Sequence, residues 1–153
     1  MSKFYPLTVS TVRQETRDAI SVTFEVPADL LDQFAYQQGQ HLTLRTQIGE
    51  DDVRRSYSIC SAVQDKCLRV AIKRTTGGLF SSWANESLKP GHTLEVMPPM
   101  GHFNVPLDPA QTRHYAAFAA GSGITPILSI IKTTLMTEPN STAFLPITFG
   151  VRF

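Results

Sequence analysis

A seven-residue segment from Arg55 to Ser61 (RSYSICS) combines side chains that could bind a flat ligand carrying phosphates. On a strand, Arg55 and Tyr57 share one face, and Ser58 points to the other. A guanidinium can fork onto phosphate oxygens, and a tyrosine ring can lie against an aromatic ligand. The hydroxyl of Ser56 or Ser58, or a backbone amide, can hydrogen-bond a ring nitrogen. The alternative is a strand with a surface arginine and a core tyrosine.

A second segment, residues 77–82 (GGLFSS), places two glycines at the start of a predicted helix. Glycines let backbone N–H groups approach an anion, and the helix dipole with the Ser81 hydroxyl favours a phosphate there. Lys73 and Arg74 end the preceding strand and could face the same phosphates. The alternatives are an ordinary capped helix and a solvated strand end.

A third segment, residues 120–126 (AGSGITP), follows an apolar run and opens a helix. A phosphate loop for a dinucleotide needs this strand–glycine–helix context. A single Gly-x-Gly is a weak signal by itself, and a tight strand-to-helix turn is the alternative.

The elements that must position these segments are mostly strands. Alternating apolar and polar residues, separated by turn signals, predict six short strands and hence a closed antiparallel barrel. One helix, running from Gly78 to Lys89, interrupts this pattern. The predicted strands lie around Phe4–Gln14, Ile20–Val26, Leu42–Leu44, Arg54–Cys60, Leu68–Ile72 and Leu94–Val96.

The pattern changes after Pro106, which predicts a division into a barrel domain, 1–106, and part of an α/β domain, 107–153. Tyr115–Ala120 is a continuous apolar run, typical of a buried parallel strand. Thr125 is predicted as the N-cap of the next helix, with Pro126 at its first position. Pro146–Phe153 could supply a second parallel strand. The apolar face of the helix is predicted to comprise Ile124, Ile127, Leu128, Ile131 and Leu135.

Composition narrows the function classes. The chain has 153 residues, of which 42% are hydrophobic and 18% charged, so a folded core is expected. A net charge of +1 argues against a general nucleic-acid binder. Cys60 and Cys67 are the only cysteines and cannot fill a four-cysteine iron–sulfur site, so no metal centre is predicted. No signal peptide or membrane span is recognisable, and a cytoplasmic location is predicted.

In order along the chain, the three segments resemble the motifs of the plant-type ferredoxin–NADP reductase superfamily. Its members show Arg-x-Tyr-Ser-x-x-Ser, then Gly-x-x-Ser, then Gly-x-Gly-Ile-Thr-Pro. Gly39-Gln40-His41 and the segment from Pro99 to Phe103 also match. Within the superfamily, residues 78–103 are most similar to the reductase components of phenylacetyl-CoA oxygenases. The resemblance implies a six-stranded Greek-key FAD-binding barrel with one capping helix, followed by a partial NAD(P)-binding unit.

The resemblance also implies a role for each matching residue. Arg55 would bind the FAD pyrophosphate, Tyr57 would stack on the isoalloxazine, and Ser58 would lie near flavin N5; Tyr57 and Ser58 are thus the implied catalytic residues. Thr125 would lie between the flavin and the nicotinamide. The implied cofactor contacts are Arg55, Ser56, Tyr57, Ser58, Ile72, Lys73, Gly78, Leu79, Phe80, Ser81, Gly121, Gly123, Thr125 and Pro126.

The implied function is electron transfer from NAD(P)H through FAD to an iron–sulfur protein or oxygenase component. The chain ends after one β-α-β unit, which suggests a truncated product or fragment whose exposed apolar helix face could favour self-association. A second hypothesis is therefore a flavin-binding or partner-docking module without turnover. A third is a structural barrel without a cofactor. FMN in place of FAD, and NADH or NADPH as donor, stay open.

Overall fold

Six antiparallel strands form the main sheet in a computed structural model, which describes residues 3–148. The sheet order is β4-β3-β6-β1-β2-β5, so both edge strands come from the middle of the sequence. The strands are β1 (Tyr5–Thr16), β2 (Ala19–Glu25), β3 (His41–Ile48), β4 (Asp51–Ser58), β5 (Leu68–Lys73) and β6 (Thr93–Val96). The prediction of a mainly β fold with six antiparallel strands is confirmed.

The two edge strands, β4 and β5, do not share a ladder of hydrogen bonds. They approach at one isolated bridge between Ile59 and Val70, where the N–H of Cys60 donates to the carbonyl of Arg69 at 2.9 Å. The predicted closed barrel is therefore only loosely realised. As a result β4, which carries Arg55 and Tyr57, keeps one free edge.

The core consists of the inward-facing residues of the strands and one face of a helix. Helix α1 (Leu79–Ser87) confirms the predicted helix and buries Phe80 and Ala84. Buried and more exposed residues alternate along the strands. Because burial of a large apolar side chain contributes roughly 1.5–3 kcal/mol, this alternation fixes which face of each strand points inward. Fully buried strand residues include Leu7, Val9, Val22, Leu42, Leu44, Val70, Ile72 and Val96.

The second part of the chain forms a parallel β-α-β unit, as predicted. It comprises β7 (His114–Ala116), β8 (Ala119–Ala120), α2 (Ile124–Thr137), β9 (Thr142–Phe144) and β10 (Ile147–Thr148). Strand β7 pairs with β9, and β8 pairs with β10. His114 lies opposite Thr142 and Ala119 opposite Ile147, so the pairing resumes in the same register after a gap.

The prediction of one continuous strand over Tyr115–Ala120 is wrong. The ladder stops at Ala117 and Phe118, and Phe118 is 76% exposed. Opposite this gap lies Pro146, which has no N–H to donate, so the pairing is interrupted there. The second strand also begins earlier than the predicted Pro146–Phe153, at Thr142, and residues 149–153 lie outside the described part of the chain.

The start of α2 differs from the prediction as well. Thr125 is not the N-cap and Pro126 is not the first helical residue, because the helix begins at Ile124 directly after a 3-10 turn, Gly121–Gly123. The Thr125 hydroxyl donates back to the carbonyl of Ser122 at 2.9 Å instead of capping. Pro126 is tolerated because N–H groups in the first helical turn have no acceptor within the helix.

A fully buried carboxylate, Glu138, joins three segments of this unit. Its oxygens accept hydrogen bonds from the Tyr115 hydroxyl at 2.8 Å, the Ser141 hydroxyl at 2.8 Å and the Asp108 N–H at 3.2 Å. Burial by itself would raise the pKa of Glu138, but these hydrogen bonds, with the charge of Arg113, hold it below its ordinary value. The carboxylate is thus satisfied in its charged form.

Gly39, just before β3, lies close to the segment of the chain that follows β6. Its φ is +84°, and a Cβ there would lie 1.8 Å from the carbonyl oxygen of Phe103 and 3.1 Å from Cδ1 of Ile130. Only glycine permits this close approach. Gly39 therefore sets the contact between the sheet, the segment after β6, and α2.

Candidate functional site

A cleft of about 260 Å³ opens beside the free edge of β4. Three parts of the chain build it: the second half of β4, the segment from β5 into α1, and the first turn of α1. Its lining residues are Arg55, Ser56, Tyr57, Lys73, Thr75, Gly78, Phe80 and Ser81. The structure thus brings two of the three sequence motifs together around one cavity.

The charge of the cleft is positive. Arg55 and Lys73 lie on two different strands and both line the cavity, whereas none of its lining residues is a carboxylate. The guanidinium of Arg55 donates to the backbone carbonyl of Arg54 at 2.6 Å, which leaves its other N–H groups available. Neighbouring Arg74 instead pairs with Glu86 at 3.1 Å. The cleft suits an anionic group such as a pyrophosphate.

Aromatic rings form the apolar side of the cleft. The rings of Tyr57 and Phe80 lie 5.7 Å apart, and those of Phe80 and Trp83 lie 5.6 Å apart. Burial raises the pKa of Tyr57 to about 12, against a smaller opposing effect of the Arg55 charge. Tyr57 is therefore a neutral ring at ordinary pH, suited to contact with a flat aromatic ligand.

The first turn of α1 supplies hydrogen-bond donors without a side-chain cap. Gly78 is the N-cap residue, no side chain caps the helix, and the N–H groups of Leu79, Phe80 and Ser81 have no acceptor within it. A Cβ on Gly78 would lie 2.5 Å from Oγ of Ser81 and 3.1 Å from the carbonyl of Thr75. A side chain at this position would therefore displace the Ser81 hydroxyl, so glycine is needed for the tight turn at the helix start.

The Ser81 hydroxyl holds this turn together. It accepts a hydrogen bond from the N–H of Thr75 at 3.1 Å and donates to the carbonyl of Gly78 at 3.3 Å. The backbone N–H groups, rather than this hydroxyl, are thus the free donors at the helix start. Thr75 lines the cleft but was not predicted, and the only sequence signal for it was its position between Lys73 and the two glycines.

Three other predicted contacts do not line the cleft. Ser58, at the end of β4, pairs across the ladder with His41 and is half-buried. The side chain of Ile72 belongs to the core, and its carbonyl accepts a hydrogen bond from Asn85 at 3.2 Å. The side chain of Leu79 is 43% exposed.

The third motif lies apart from this cleft. None of Gly121, Gly123, Thr125 and Pro126 is among its lining residues. Gly121 has a φ of +56° and opens the 3-10 turn before α2. This region forms a turn followed by a helix, as the third motif predicts, and its role in dinucleotide binding stays a prediction.

A larger cavity, of about 340 Å³, lies between α2 and the strands of the second unit. Its lining is mostly apolar and includes Phe103, Val105, Ile127 and Ile131, with no charged side chain. A phosphate-bearing ligand would find no cation there. The smaller cleft is therefore the candidate site.

Metal-ligating side chains do not cluster in the described part of the chain. Among residues 3–148, no group of three or more His, Cys, Asp or Glu residues is placed to hold a metal ion. No helix of the same range has the length and apolar character that a membrane crossing requires.

Residues 6–105 match the family described as the oxidoreductase FAD-binding domain, and the chain belongs to this family. The matched range includes the entire cleft. The predicted membership of the ferredoxin reductase group, the predicted FAD cofactor and the oxidoreductase class are thereby confirmed.

Two of the curated relatives are named as a subunit or a component of an enzyme. The chain is 48% identical over 141 residues to one of the subunits of the 1,2-phenylacetyl-CoA epoxidase of Escherichia coli K12, covering 92% of this chain and 40% of the relative. It is 45% identical over 132 residues to the ferredoxin reductase component of the 3-ketosteroid-9-alpha-monooxygenase of Rhodococcus rhodochrous, covering 84% and 36%. The chain thus spans less than half of the length of these relatives.

Solved structures show the same fold. Phthalate dioxygenase reductase superposes with a TM-score of 0.74 at 28% identity, covering 95% of this chain and 44% of that one. The Amycolatopsis cytochrome P450 reductase GcoB superposes with a TM-score of 0.76 at 24% identity, covering 97% and 44%. The arrangement of sheet, α1 and the following α/β unit is therefore that of known reductases.

Proposed function

We propose that this chain holds FAD in the cleft and serves as the flavin-carrying part of an NAD(P)H-dependent electron-transfer reductase. The observation that carries the proposal is the convergence of Arg55, Tyr57 and the start of α1 on one positively charged cleft. This cleft offers cations and open N–H groups for a pyrophosphate, and an aromatic ring for a flat heterocycle. These are the features that the cofactor of this family requires.

The chain's own residues would bind and orient the cofactor. Arg55 and Lys73, with the N–H groups of the first turn of α1, would hold the pyrophosphate. Tyr57 would lie against the flavin ring and keep water from it, because its neutral ring is backed by Phe80. We assign to Ser58 a hydrogen bond to the reactive edge of the ring, and to Ile72 a contact through its backbone.

When bound, FAD supplies the redox chemistry, since it can take a hydride from a reduced nicotinamide and release two electrons singly. We assign the turn Gly121–Gly123, with Thr125 and Pro126, to the nicotinamide dinucleotide. One relative is named as a ferredoxin reductase component, and phthalate dioxygenase reductase is described as a modular structure for electron transfer from pyridine nucleotides to a 2Fe-2S centre. An iron–sulfur protein or oxygenase component is accordingly the proposed acceptor.

The division into a flavin domain, 1–106, and a partial dinucleotide unit, 107–153, belongs to the same proposal. A second candidate function follows from the position of the cleft. All of its lining residues lie between Arg55 and Ser81, so flavin binding needs no lining side chain from the α/β unit. The chain could thus act as a flavin-binding module without turnover.

Acid release of the bound cofactor from the purified chain, followed by its mass, tests the proposal directly. FAD is the expected product, whereas FMN would replace the proposed cofactor. Failure to retain any flavin after reconstitution with an excess of FAD would overturn the proposal. Anaerobic mixing of the loaded chain with NADH or NADPH then separates the two functions: bleaching of the flavin spectrum supports turnover, and an unchanged oxidised spectrum supports the module.

A further inference from the structure

A stripe of hydroxyl side chains on α2 faces the turn that follows β4. Ser129, Thr133 and Thr137 are spaced four residues apart and so lie on one side of the helix. Ser129 is 0% exposed and Thr133 is 3% exposed. The side of α2 that faces this turn is thus polar and buried, so its hydroxyls need hydrogen-bond partners there.

Each hydroxyl of the stripe contacts the turn that follows β4. The Ser129 hydroxyl donates to the carbonyl of Ser61 at 2.7 Å, and the N–H of Val63 donates to the Thr133 hydroxyl at 3.1 Å. Nε2 of Gln64 donates to the Thr137 hydroxyl at 2.8 Å. Because hydrogen bonds are directional, this set defines how far α2 can slide or rotate against the turn.

Ser61 is the last residue of the motif that begins at Arg55, and it does not line the cleft. It is 2% exposed, and its hydroxyl donates to the carbonyl of Cys67 at 2.8 Å and lies 2.8 Å from the hydroxyl of Tyr36. Its own carbonyl is occupied by Ser129. Every polar group of the Ser61 side chain and carbonyl therefore serves to join the turn to its surroundings.

An ion pair lies at the outer edge of the same contact. Lys132 pairs with Asp65, which also accepts a hydrogen bond from the N–H of Ala62 at 2.9 Å. The hydrogen bond from Lys132 holds the pKa of Asp65 below its ordinary value. The pair is partly exposed, so its contribution is smaller than that of the buried hydroxyls.

We propose that Ser129 and Thr133 are positioning residues that hold α2, and with it the turn Gly121–Gly123, in a fixed register against the strand carrying Tyr57 and Ser58. The importance of this register rests on the proposed function, in which that turn receives the dinucleotide and the strand faces the flavin. Ser61, in the turn after β4, accepts the hydrogen bond from Ser129. The segment Arg55–Ser61 thereby binds the cofactor through its first residues and anchors α2 through its last residue, Ser61.

The test compares two neighbouring threonines. Thr133 and Thr134 are both buried, but Oγ1 of Thr134 has no hydrogen-bond partner among the described residues. Nitroxide labels on Ser122→Cys and Gln47→Cys, in a chain with Cys60 and Cys67 replaced by alanine, report the distance from the turn to the sheet by pulsed electron resonance. Ser129→Ala combined with Thr133→Val should broaden or shift this distance distribution, and Thr134→Val should leave it unchanged.

Rescue distinguishes positioning from stability. Thr133→Ser retains the hydroxyl and should keep the parent distribution, although it removes a methyl group. A parent-like distribution in the Ser129→Ala, Thr133→Val chain, with a lowered melting temperature, would overturn the proposal. If that double variant does not fold, each single variant is compared with Thr134→Val by the same criteria. The measurement needs no flavin, so loss of FAD binding would refute the proposed function without deciding the positioning of α2.

Discussion

The cleft beside β4 and the unit formed by residues 107–148 use their glycine motifs differently. In the cleft, Gly78 lies among residues from two strands and a helix, all within one cavity. In the second unit, Gly121 and Gly123 form a turn next to two short parallel ladders. Within the cleft, flanking elements thus place Gly78 beside the side chains of Arg55 and Lys73. The comparison shows that the same type of motif can be enclosed by side chains from other elements, as at Gly78, or can form an exposed turn, as at Gly121.

The two regions also differ in what they bury. The sheet buries alternating aliphatic residues such as Leu42 and Leu44, both 0% exposed. Helix α2 buries Ser129, Thr133 and Thr134, whereas its Leu128 and Leu135 are each 37% exposed. The sheet around the cleft thus buries apolar side chains, whereas the buried side chains of α2 are hydroxyls.

The largest loss of stability is expected from a substitution at Gly39, where the two regions meet. Gly39→Ala should lower the free energy of unfolding by about 3 kcal/mol or more, because its Cβ would overlap the carbonyl oxygen of Phe103 at a positive φ. Urea unfolding measures this loss. Gly49→Ala is the matched control: its φ is +62° but no atom lies within 4 Å of the added Cβ, so only about 1–2 kcal/mol is expected. Equal losses would show that the contact between the regions is unimportant.

Arg55→Ala tests the charge of the cleft. Loss of one charge-assisted contact should weaken FAD by roughly 1–3 kcal/mol, or about 5- to 150-fold in Kd. Titration of the flavin-free chain, followed by flavin fluorescence, gives the Kd. Arg54→Ala removes a neighbouring cation that pairs with Asp52 at 3.1 Å and does not line the cleft, so flavin affinity should stay the same. Unchanged affinity in Arg55→Ala would count against the pyrophosphate assignment.

Ser81→Ala separates the hydroxyl from the backbone donors. The change removes the hydrogen bonds to Thr75 and Gly78 and should cost about 0.5–1.5 kcal/mol of unfolding free energy. Flavin affinity should fall less than in Arg55→Ala, because the N–H groups of the first helical turn remain. Complete loss of flavin from a folded Ser81→Ala chain would contradict this division of roles.

The smallest expected effect is a change in the pH dependence of stability, caused by the ring of Tyr57 at high pH. Its pKa is raised from 10.0 to about 12 because burial disfavours the phenolate. The stability that this shift contributes is complete below pH 10 and is lost as the pH rises through 12. Tyr57→Phe should therefore show a smaller alkaline loss of stability than the parent in urea unfolding. An identical pH dependence in the two chains would mean that Tyr57 is exposed.

Much of the sheet and the cleft could be predicted because their signals are local and repeated. Alternation with period two predicted four of the six strands of the main sheet, and the order of the motifs predicted that Arg55, Tyr57 and Gly78 belong together. The absence of a ladder between β4 and β5 could not be read from this pattern, since closure depends on sheet curvature and not on which residues face inward.

The second unit was harder to predict for specific reasons. Pro146 was predicted to begin the second strand, whereas it lies between β9 and β10, opposite the interruption in the apolar run Tyr115–Ala120. The apolar periodicity of α2 drew attention to Leu128 and Leu135, whereas Ser129 and Thr133 make the buried contacts. A hydroxyl at the helix surface gives no sign of burial until its partner on another element is known.

The buried carboxylate of Glu138 has a consequence for how the second unit comes apart. One side chain accepts hydrogen bonds from Asp108 before β7, from Tyr115 within β7 and from Ser141 before β9. Separation of any of these segments would leave a buried carboxylate short of donors, which is costly. The three segments should therefore open as a single cooperative unit in amide hydrogen exchange, with no earlier release of the stretch around Asp108.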